Sequence, residues 1–227
     1  MAKSSIFWRS LKFCPRWALS LVYRNVLEGA QPWLTYAAIE FLEQVLTSEM
    51  RLFEYGAGGS TLFYAGKVRE VFSVEHDRRW YEKVAGKLNQ IGYQNCCLKL
   101  IEPEPASGTV GQSASDPDAY VSGAAAYRDK TFKAYARAIE EHPEQYFDVI
   151  VIDGRARPSC FKHAVKRLKP RGFLVLDNSE RDRYASIHQT LNPGVWAKKE
   201  FWGPGPYNLC FWKTSIWQNR SDGTFVF

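Results

Sequence analysis

Residues 52–77 read LFEYGAGGSTLFYAGKVREVFSVEHD. One apolar run ends at Glu54, a short amphipathic stretch follows, and a second apolar run ends at Glu75. The turn between them carries Gly56, Gly58 and Gly59, followed by Ser60 and Thr61. Glycine adopts positive φ and allows a close backbone approach, while Ser and Thr suit the start of a helix whose free N–H groups face a ligand. The stretch predicts a strand, a ligand-binding turn, a helix and a second strand.

The details of the turn decide which ligand it suits. A dinucleotide fingerprint has a third glycine where this chain has Thr61, and no acid where it has Glu54. Glu75 ends the second predicted strand, where a carboxylate accepts hydrogen bonds from both hydroxyls of a ribose. An ordinary tight turn between a strand and a helix is the alternative interpretation.

The pattern E-x-G-x-G-G-S followed by V-E-H-D resembles the class I S-adenosylmethionine (SAM) methyltransferases. The resemblance implies that Glu54 faces the methionine amino end of SAM, that the glycines pass under the cofactor, and that Glu75 holds the ribose. Many members carry glycine where this chain has Ser60. The residues that we predict to bind SAM are Glu54, Gly56, Gly58, Gly59, Ser60, Thr61, Glu75, His76, Glu102 and Asp153.

The composition is that of one globular domain. The chain has 227 residues, of which 45% are hydrophobic and 15% aromatic, enough for a packed core. Its 30 basic and 24 acidic side chains leave a net charge of +6, which suits an anionic partner but predicts no specific nucleic acid. Five cysteines without a C-x-x-C spacing indicate neither a disulfide framework nor a zinc site, so we expect a cytoplasmic protein.

Residues 1–28 form a basic and aromatic segment with no acid before Glu28. Charges interrupt it too often for a membrane-spanning helix or a secretory signal. Two roles remain open: a peripheral contact with a membrane surface, and a helix packed across the domain as a lid or homodimer contact. Pro15 interrupts the helical pattern and favours the second role. We expect this accessory segment to precede a methyltransferase domain at residues 29–227.

The remaining chain reads as alternating helices and strands. We expect a helix opened by Pro32, a helix over 77–91, a strand over 96–101, a flexible active-site loop over 103–123, a helix over about 124–141 and a strand over 146–153. A helix over 157–168, a turn at LKPRG, and strands over 173–176, 195–201 and 208–217 follow. The predicted α/β fold is a Rossmann-like, mostly parallel sheet of seven strands with a C-terminal antiparallel hairpin and helices on both faces, as the resemblance implies.

Each predicted strand ends in polar residues, and open α/β sheets bind ligands at that edge. Asp153, Asp177 and Asn178 offer two carboxylates and an amide oxygen, which are ligands for Mg²⁺ or another divalent cation. Their order resembles the metal-dependent catechol-type O-methyltransferases, in which the ion lowers the pKa of the acceptor hydroxyl. Those enzymes have a lysine where this chain has Ala156. In the metal-free alternative, Asp153 is itself the general base.

Side chains near these strand ends also suit a methyl acceptor. Arginines, including Arg183, follow two of the strand ends and can bind an anion, and the hairpin connection offers rings that can stack on a sugar or an aryl group. The predicted acceptor-binding residues are Arg155, Arg157, Arg181, Trp202, Tyr207 and Asn208. The strings VIDGRAR and LDNSERDRY resemble a group of bacterial SAM methyltransferases of uncharacterised substrate.

These observations predict a SAM-dependent methyltransferase that acts on a hydroxyl group of a small molecule or glycan. Two alternatives are a nucleic-acid or protein methyltransferase, and a non-catalytic subunit of the same fold that docks on a membrane or partner. No N-P-P-Y-like tetrad follows the fourth predicted strand, where many base N-methyltransferases carry one, which disfavours the first. The intact Glu54, glycines and Glu75 disfavour the second.

Overall fold

The computed structural model describes residues 11–22, 25–109 and 111–220. Its strands are β1 (Arg51–Tyr55), β2 (Glu70–Glu75), β3 (Cys96–Leu100), β4 (Glu104–Pro105), β5 (Lys130–Thr131), β6 (Phe147–Ile152), β7 (Leu168–Leu176), β8 (Trp196–Gly203) and β9 (Trp212–Asn219). Its α-helices are α1 (Cys14–Val22), α2 (Val26–Gly29), α3 (Tyr36–Val45), α4 (Gly59–Ala65), α5 (Arg78–Ile91), α6 (Lys133–Arg137), α7 (Arg157–Ala164) and α8 (Ala185–Thr190). Short 3₁₀-helices span Ala125–Tyr127, Ala138–Glu141, Val165–Arg167 and Asp182–Tyr184.

A mixed sheet of seven strands, in the order β3-β2-β1-β6-β7-β9-β8, forms the centre of the fold. The strands β3, β2, β1, β6 and β7 pair in parallel, and β9 pairs antiparallel with both β7 and β8. Six strands therefore point one way and β9 points the other. This arrangement confirms the predicted Rossmann-like fold with its C-terminal antiparallel hairpin. The strands β4 and β5 form a separate antiparallel ribbon.

The central strands are buried on both faces, because helices cover each side of the sheet. On one face, Phe53 of β1 packs in a core with Tyr135 of α6 and Phe161 of α7. On the other face, the adjacent Leu52 packs in a second core with Ile39 of α3. Neighbouring strand residues point to opposite faces, so an uninterrupted apolar strand supplies both cores.

The helix predicted to open at Pro32 begins at Tyr36 instead. Thr35 is extended, with a ψ of 142°, and its N–H donates to Thr214 Oγ1 over 3.2 Å. Its hydroxyl donates to Phe201 O over 3.3 Å. The C-terminal hairpin thus satisfies the polar groups of Thr35 in an extended conformation, and the helix starts one residue later.

The single helix predicted over 124–141 is wrong, since that stretch folds as two 3₁₀-helices, β5 and α6. Strand β5 pairs with β4, and the Phe132 N–H donates to Tyr120 O over 2.8 Å. These tertiary bonds override the local helical preference. The predicted turn at LKPRG is wrong as well, because the stretch belongs to β7. A register shift between Phe147 and Val149 of β6 accommodates it.

The described part of the N-terminal segment packs on the domain. Phe13 is buried and its ring stacks on Tyr36 of α3, with 5.4 Å between the ring centroids. Trp17 Nε1 donates to Asn208 O over 2.7 Å, in the connection between β8 and β9. On the outer side of α1, Leu19 and Val22 are 58% and 75% exposed. Residues 1–10 and 23–24, which carry other basic and aromatic side chains of this segment, lie outside the described residues.

The longest helix in the described ranges, α5, has 14 residues. No helix there combines the length and the apolar character needed to span a bilayer. The division into an accessory segment and a domain at residue 29 stays a prediction.

The packing of α1 allows a test of whether the N-terminal segment is accessory. We expect Phe13→Ala to lower the free energy of unfolding by about 3 kcal/mol, the usual cost of removing a buried phenylalanine ring. Leu19→Ala, at an exposed position of α1, is the control, with an expected change of about 0.5 kcal/mol or less. Urea unfolding of both variants measures the difference. Equal stabilities for the two variants would mean that the segment contributes nothing to the core.

Candidate functional site

The carboxyl ends of β1, β2, β6 and β7 open onto one cavity of about 500 Å³, called here the strand-end cavity. Cavities of this size accommodate small molecules. Parallel strands end at the same edge of the sheet, so residues far apart in the sequence meet there. The wall contains Trp33, Gly56, Ala57, Glu75, His76, Asp77, Trp80, Tyr127, Asp153, Gly154, Arg155, Arg157, Asp177, Asn178, Arg181, Asn208 and Trp212.

The glycine turn allows two strand ends to approach each other. Gly56 has a φ of +95°, and a Cβ there would lie 2.9 Å from Gly154 Cα, just after β6. Gly59, the first residue of α4, lies against the carbonyl oxygens of Val26 and Gln31, which a Cβ would overlap. These backbone contacts explain why glycine occupies both positions, and they leave Gly56 on the cavity wall.

Glu54 lies in β1, close to its carboxyl end, and is 1% exposed. Its Oε2 accepts hydrogen bonds from Thr61 Oγ1 and Ser73 Oγ, each 2.7 Å long, and Thr61 Oγ1 accepts from the Gly58 N–H. Its Oε1 is buried too, and accepts no hydrogen bond of good geometry from the described residues. Burial raises the pKa of Glu54 to about 7, although the hydroxyl hydrogen bonds act to lower it. The hydroxyl of Ser60, in the glycine turn, is among the donors that lower this pKa.

Glu75, at the end of β2, is held by backbone N–H groups. Its Oε2 accepts from Ala57 over 3.1 Å, and its Oε1 accepts from His76 and Asp77 over 2.7 and 2.8 Å. Trp80 is anchored beside it, because its Nε1 donates to Ala57 O over 2.7 Å. Glu75 is only 3% exposed, yet it forms part of the cavity wall. A fixed carboxylate next to an indole ring suits a ribose and its attached base.

Arg157 joins the ends of β6 and β7 and is 7% exposed. Its Nε donates to Gly154 O over 3.0 Å, and its Nη1 donates to Asp177 O. Its Nη2 donates to Asp153 O over 2.7 Å and to Asp153 Oδ1 over 2.8 Å. Each guanidinium nitrogen thus has an acceptor within the chain. The contacts in the structure make Arg157 a group that orients Asp153.

The two aspartates of this cluster differ in acidity. Burial raises the pKa of Asp153 to about 6, and the positive charge of Arg157 opposes that rise. Burial and the nearby charge of Asp153 raise the pKa of Asp177 to about 8. Asp177 Oδ1 also accepts hydrogen bonds from Trp212 Nε1 and Thr214 Oγ1 over 2.8 and 2.7 Å. Both aspartates line the cavity, and Asp153, with the lower pKa, is the one that is more readily ionised near neutral pH.

The predicted metal ligands Asp153, Asp177 and Asn178 all line the cavity. However, the Arg157 guanidinium already pairs with Asp153 at 2.8 Å, and Asp177 Oδ1 already accepts two hydrogen bonds. A divalent cation would face a buried positive charge here, which disfavours its binding. Across the described ranges, no group of three or more His, Cys, Asp or Glu side chains is arranged to hold an ion. This set of donors does not suit Mg²⁺.

Solved structures similar to this chain include several methyltransferases. A putative O-methyltransferase from Klebsiella pneumoniae is 17% identical with a TM-score of 0.59, over 86% of this chain and 87% of that one. An O-methyltransferase from Bacillus cereus in complex with S-adenosylhomocysteine (SAH) is 14% identical with a TM-score of 0.58, over 88% of each chain. An rRNA methylase from Streptococcus thermophilus is 15% identical with a TM-score of 0.54, over 81% of this chain and 94% of that one. The chain has the class I methyltransferase fold. No protein-family model and no curated protein matches the sequence.

In this methyltransferase fold, most of the predicted site residues share the strand-end cavity. Those on its wall are Gly56, Glu75, His76, Asp153, Arg155, Arg157, Asp177, Asn178, Arg181 and Asn208. Those around the glycine turn but off the wall are Glu54, Gly58, Gly59, Ser60 and Thr61. Three other predicted residues do not reach the cavity. Glu102 is exposed and pairs with Arg78, Trp202 is 43% exposed on β8, and Tyr207 packs edge-on against Trp33.

Sequence reasoning missed several aromatic residues of the wall, among them Trp80 and Tyr127. Trp80 had a local signal, because Asp77 caps α5 through the Trp80 N–H and thereby places an aromatic residue just after the second strand. Tyr127 had none. Its hydroxyl lies 3.0 Å from His76 Nε2, and only the tertiary fold brings these two residues together.

The buried Glu54 makes stability depend on pH. Its pKa is about 7 in the folded protein against 4.5 for an ordinary glutamate, so the folded state binds a proton that the unfolded state has lost. The contribution of this proton to the free energy of unfolding is fully present below about pH 4.5 and is lost as the pH rises to about 7. The total loss is up to about 3 kcal/mol. We expect Glu54→Gln, which keeps the shape but does not titrate, to lose less stability than the wild type between about pH 5 and about pH 7.5.

Urea unfolding at both pH values measures this difference. Asp153 and Asp177 titrate in overlapping ranges and are present in both proteins, and the Glu54 charge contributes to the raised pKa of Asp153, so the comparison reports Glu54 together with its coupling to Asp153. Parallel pH profiles for the two proteins would show that Glu54 has an ordinary pKa.

Proposed function

We propose that the protein is a SAM-dependent methyltransferase that methylates a hydroxyl group of a small molecule or glycan. One observation carries the proposal: a single cavity is lined both by a fixed carboxylate of the ribose-binding type, Glu75, and by a candidate base, Asp153. The methyltransferase fold supports the same conclusion.

The residues around the cavity fit SAM as a positively charged molecule. Glu54 Oε1, buried and without a hydrogen bond of good geometry from the described residues, suits the amino group of the methionine part. Glu75 suits the ribose hydroxyls, and the neighbouring Trp80 offers an apolar surface for the adenine. Gly56 lets the backbone pass close to the cofactor.

Bound SAM supplies a methyl group on a positively charged sulfur atom. Transfer of that methyl group to a hydroxyl oxygen of the acceptor would leave SAH and release the hydroxyl proton. Asp153 takes the proton that the hydroxyl loses, while Arg157 keeps the carboxylate oriented. A carboxylate with a pKa near 6 is mostly ionised at neutral pH and is still basic enough for this role.

Cofactor binding is tested through Glu75. We expect Glu75→Gln to weaken SAM binding by about 1.5–3 kcal/mol, because one charge-assisted acceptor is lost. Glu102→Gln is the matched control, since Glu102 is exposed and does not line the cavity, and its affinity should equal that of the wild type. Isothermal titration calorimetry with SAM measures both. Unchanged affinity in Glu75→Gln would remove Glu75 from the ribose site.

Catalysis is tested through Asp153. We expect Asp153→Asn to lower methyl transfer by about 10²- to 10⁴-fold, the usual contribution of a general base, while SAM still binds. In the wild type, activity should rise with pH through about 6, as Asp153 loses its proton. The assay follows SAH release with a panel of hydroxy acids, sugar phosphates, phenols and an RNA oligonucleotide as acceptors.

A chelator separates this mechanism from the metal-assisted one. We expect full activity in EDTA. Loss of activity in EDTA and recovery with Mg²⁺ would instead support ion binding at Asp153, Asp177 and Asn178. If RNA is the acceptor in the panel that is methylated and the others are not, the acceptor is a nucleic acid and the small-molecule proposal is wrong.

A further inference from the structure

A second cavity, of about 150 Å³, opens beside the strand-end cavity. We call it the arginine cavity, and its wall includes Ser122, Gly123, Arg155, Arg181, Arg183 and Tyr184. The two cavities share Gly154, Arg155, Arg157 and Arg181 on their walls. A molecule bound in one can therefore extend into the other.

Arg183 is seated in this wall by close packing. Its Nη1 lies against Gly123, so closely that a Cβ on Gly123 would overlap it. Its Cζ lies 5.8 Å from the ring centroid of Tyr184. Glycine at position 123 thus makes room for the guanidinium at the cavity wall.

Three of the four arginines of this wall, Arg155, Arg181 and Arg183, lack a close acidic partner among the described residues. Arg155 contacts His76 Nε2 at 3.4 Å and the Tyr127 ring at 5.5 Å, and it forms no ion pair with a described residue. Arg183 forms none within the described ranges either. Among the described residues, Arg181 has one ion-pair contact, with Glu180 at 4.0 Å, and the charges of Arg181 and Arg155 also act to lower the pKa of Asp153.

The described residues therefore neutralise the charge of this wall only in part. Arg157 is the arginine of this wall that has a close carboxylate partner, Asp153, and no Asp or Glu is among the described residues that line the cavity. Guanidinium groups that converge without acids form a binding site for carboxylates and phosphates, whose paired oxygens match their N–H groups.

We propose that the arginine cavity binds an oxyanion, a carboxylate or phosphate, carried by the methyl acceptor, an inference that rests on the methyl-transfer function proposed above. With its oxyanion between Arg155, Arg181 and Arg183, such an acceptor extends past Gly154 and brings its hydroxyl to Asp153. The substrate class is then hydroxy acids or phosphorylated hydroxy compounds, rather than neutral phenols or neutral sugars.

Binding of the anion is measured by calorimetry with inorganic phosphate and, separately, with acetate, at constant ionic strength. We expect saturable binding to the wild type and binding at least about tenfold weaker in Arg183→Gln, which removes charged donors. Gly123→Ala should weaken binding to a similar extent, because it displaces the Arg183 guanidinium without changing the net charge. Arg69→Gln is the control, since Arg69 lies before β2 at the opposite edge of the sheet, and its affinity should not change.

The two anions separate the two kinds of acceptor. Tighter binding of phosphate indicates a phosphorylated acceptor, and tighter binding of acetate indicates a hydroxy acid. If the wild type binds neither anion, or if Arg183→Gln and Gly123→Ala bind as tightly as the wild type, the proposal is overturned. Thermal unfolding of each variant confirms that it is folded.

SAM titrations of the same proteins keep this inference distinct from the proposed function. Gly123 and Arg183 do not line the strand-end cavity, so SAM affinity should be unchanged in both variants. A wild type that binds the anion as expected but does not bind SAM would contradict the methyltransferase proposal and leave the anion site standing. A wild type that binds SAM but neither anion would contradict the anion site and leave the methyltransferase proposal standing.

Discussion

The buried guanidinium of Arg157 is the constraint on which the site depends. Its hydrogen bonds to the carbonyl oxygens of Asp153, Gly154 and Asp177 join the ends of β6 and β7, and its charge pairs with the Asp153 carboxylate. A buried ion pair adds little net stability, since desolvation offsets the attraction. Separating its two charges is nevertheless costly, because each would be left buried without a partner. Without this cation, Asp153 and Asp177 would be two neighbouring buried acids, and both could not stay ionised. Arg157 thus allows one carboxylate to remain charged and directed at the cavity.

The two cavities differ in their acidic groups. Carboxyl groups of Glu75, Asp153 and Asp177 line the strand-end cavity, whereas the arginine cavity shares its arginines Arg155, Arg157 and Arg181 but has no carboxyl group among the described residues of its wall. Under the proposals above, a positively charged cofactor and a negatively charged acceptor are attracted to different sides of Asp153. Such complementarity fixes the orientation of a bound molecule and speeds its encounter with the site. The net charge of +6 conceals this division, because it averages the two cavities with the rest of the chain.

The site could be predicted in part. The strand ends and the glycine turn could be predicted, because apolar runs that end in acids and a glycine-rich turn are local sequence patterns. These patterns predicted Gly56, Glu75, Asp153 and Asp177 as site residues. Trp202 was misplaced because strand β8 continues to Gly203, and Glu102 because its side chain turns outward to Arg78. The wall residue Tyr127 lies in a stretch whose helical pattern is overridden by pairing of β4 with β5.

By itself, the sequence determined the fold class, the order of the parallel strands along the chain and the turn that approaches a ligand, since these follow from apolar periodicity and from the conformational freedom of glycine. The tertiary structure alone decided how the strand-end acids are used. In the sequence, Arg157 reads as a helix-start arginine and a candidate acceptor-binding residue, and only folding inserts it between the ends of β6 and β7, where its guanidinium pairs with the Asp153 carboxylate. Likewise, Arg183 meets Gly123 only after folding. Contacts between residues far apart in the chain set burial and electrostatic environment, and no local pattern records them.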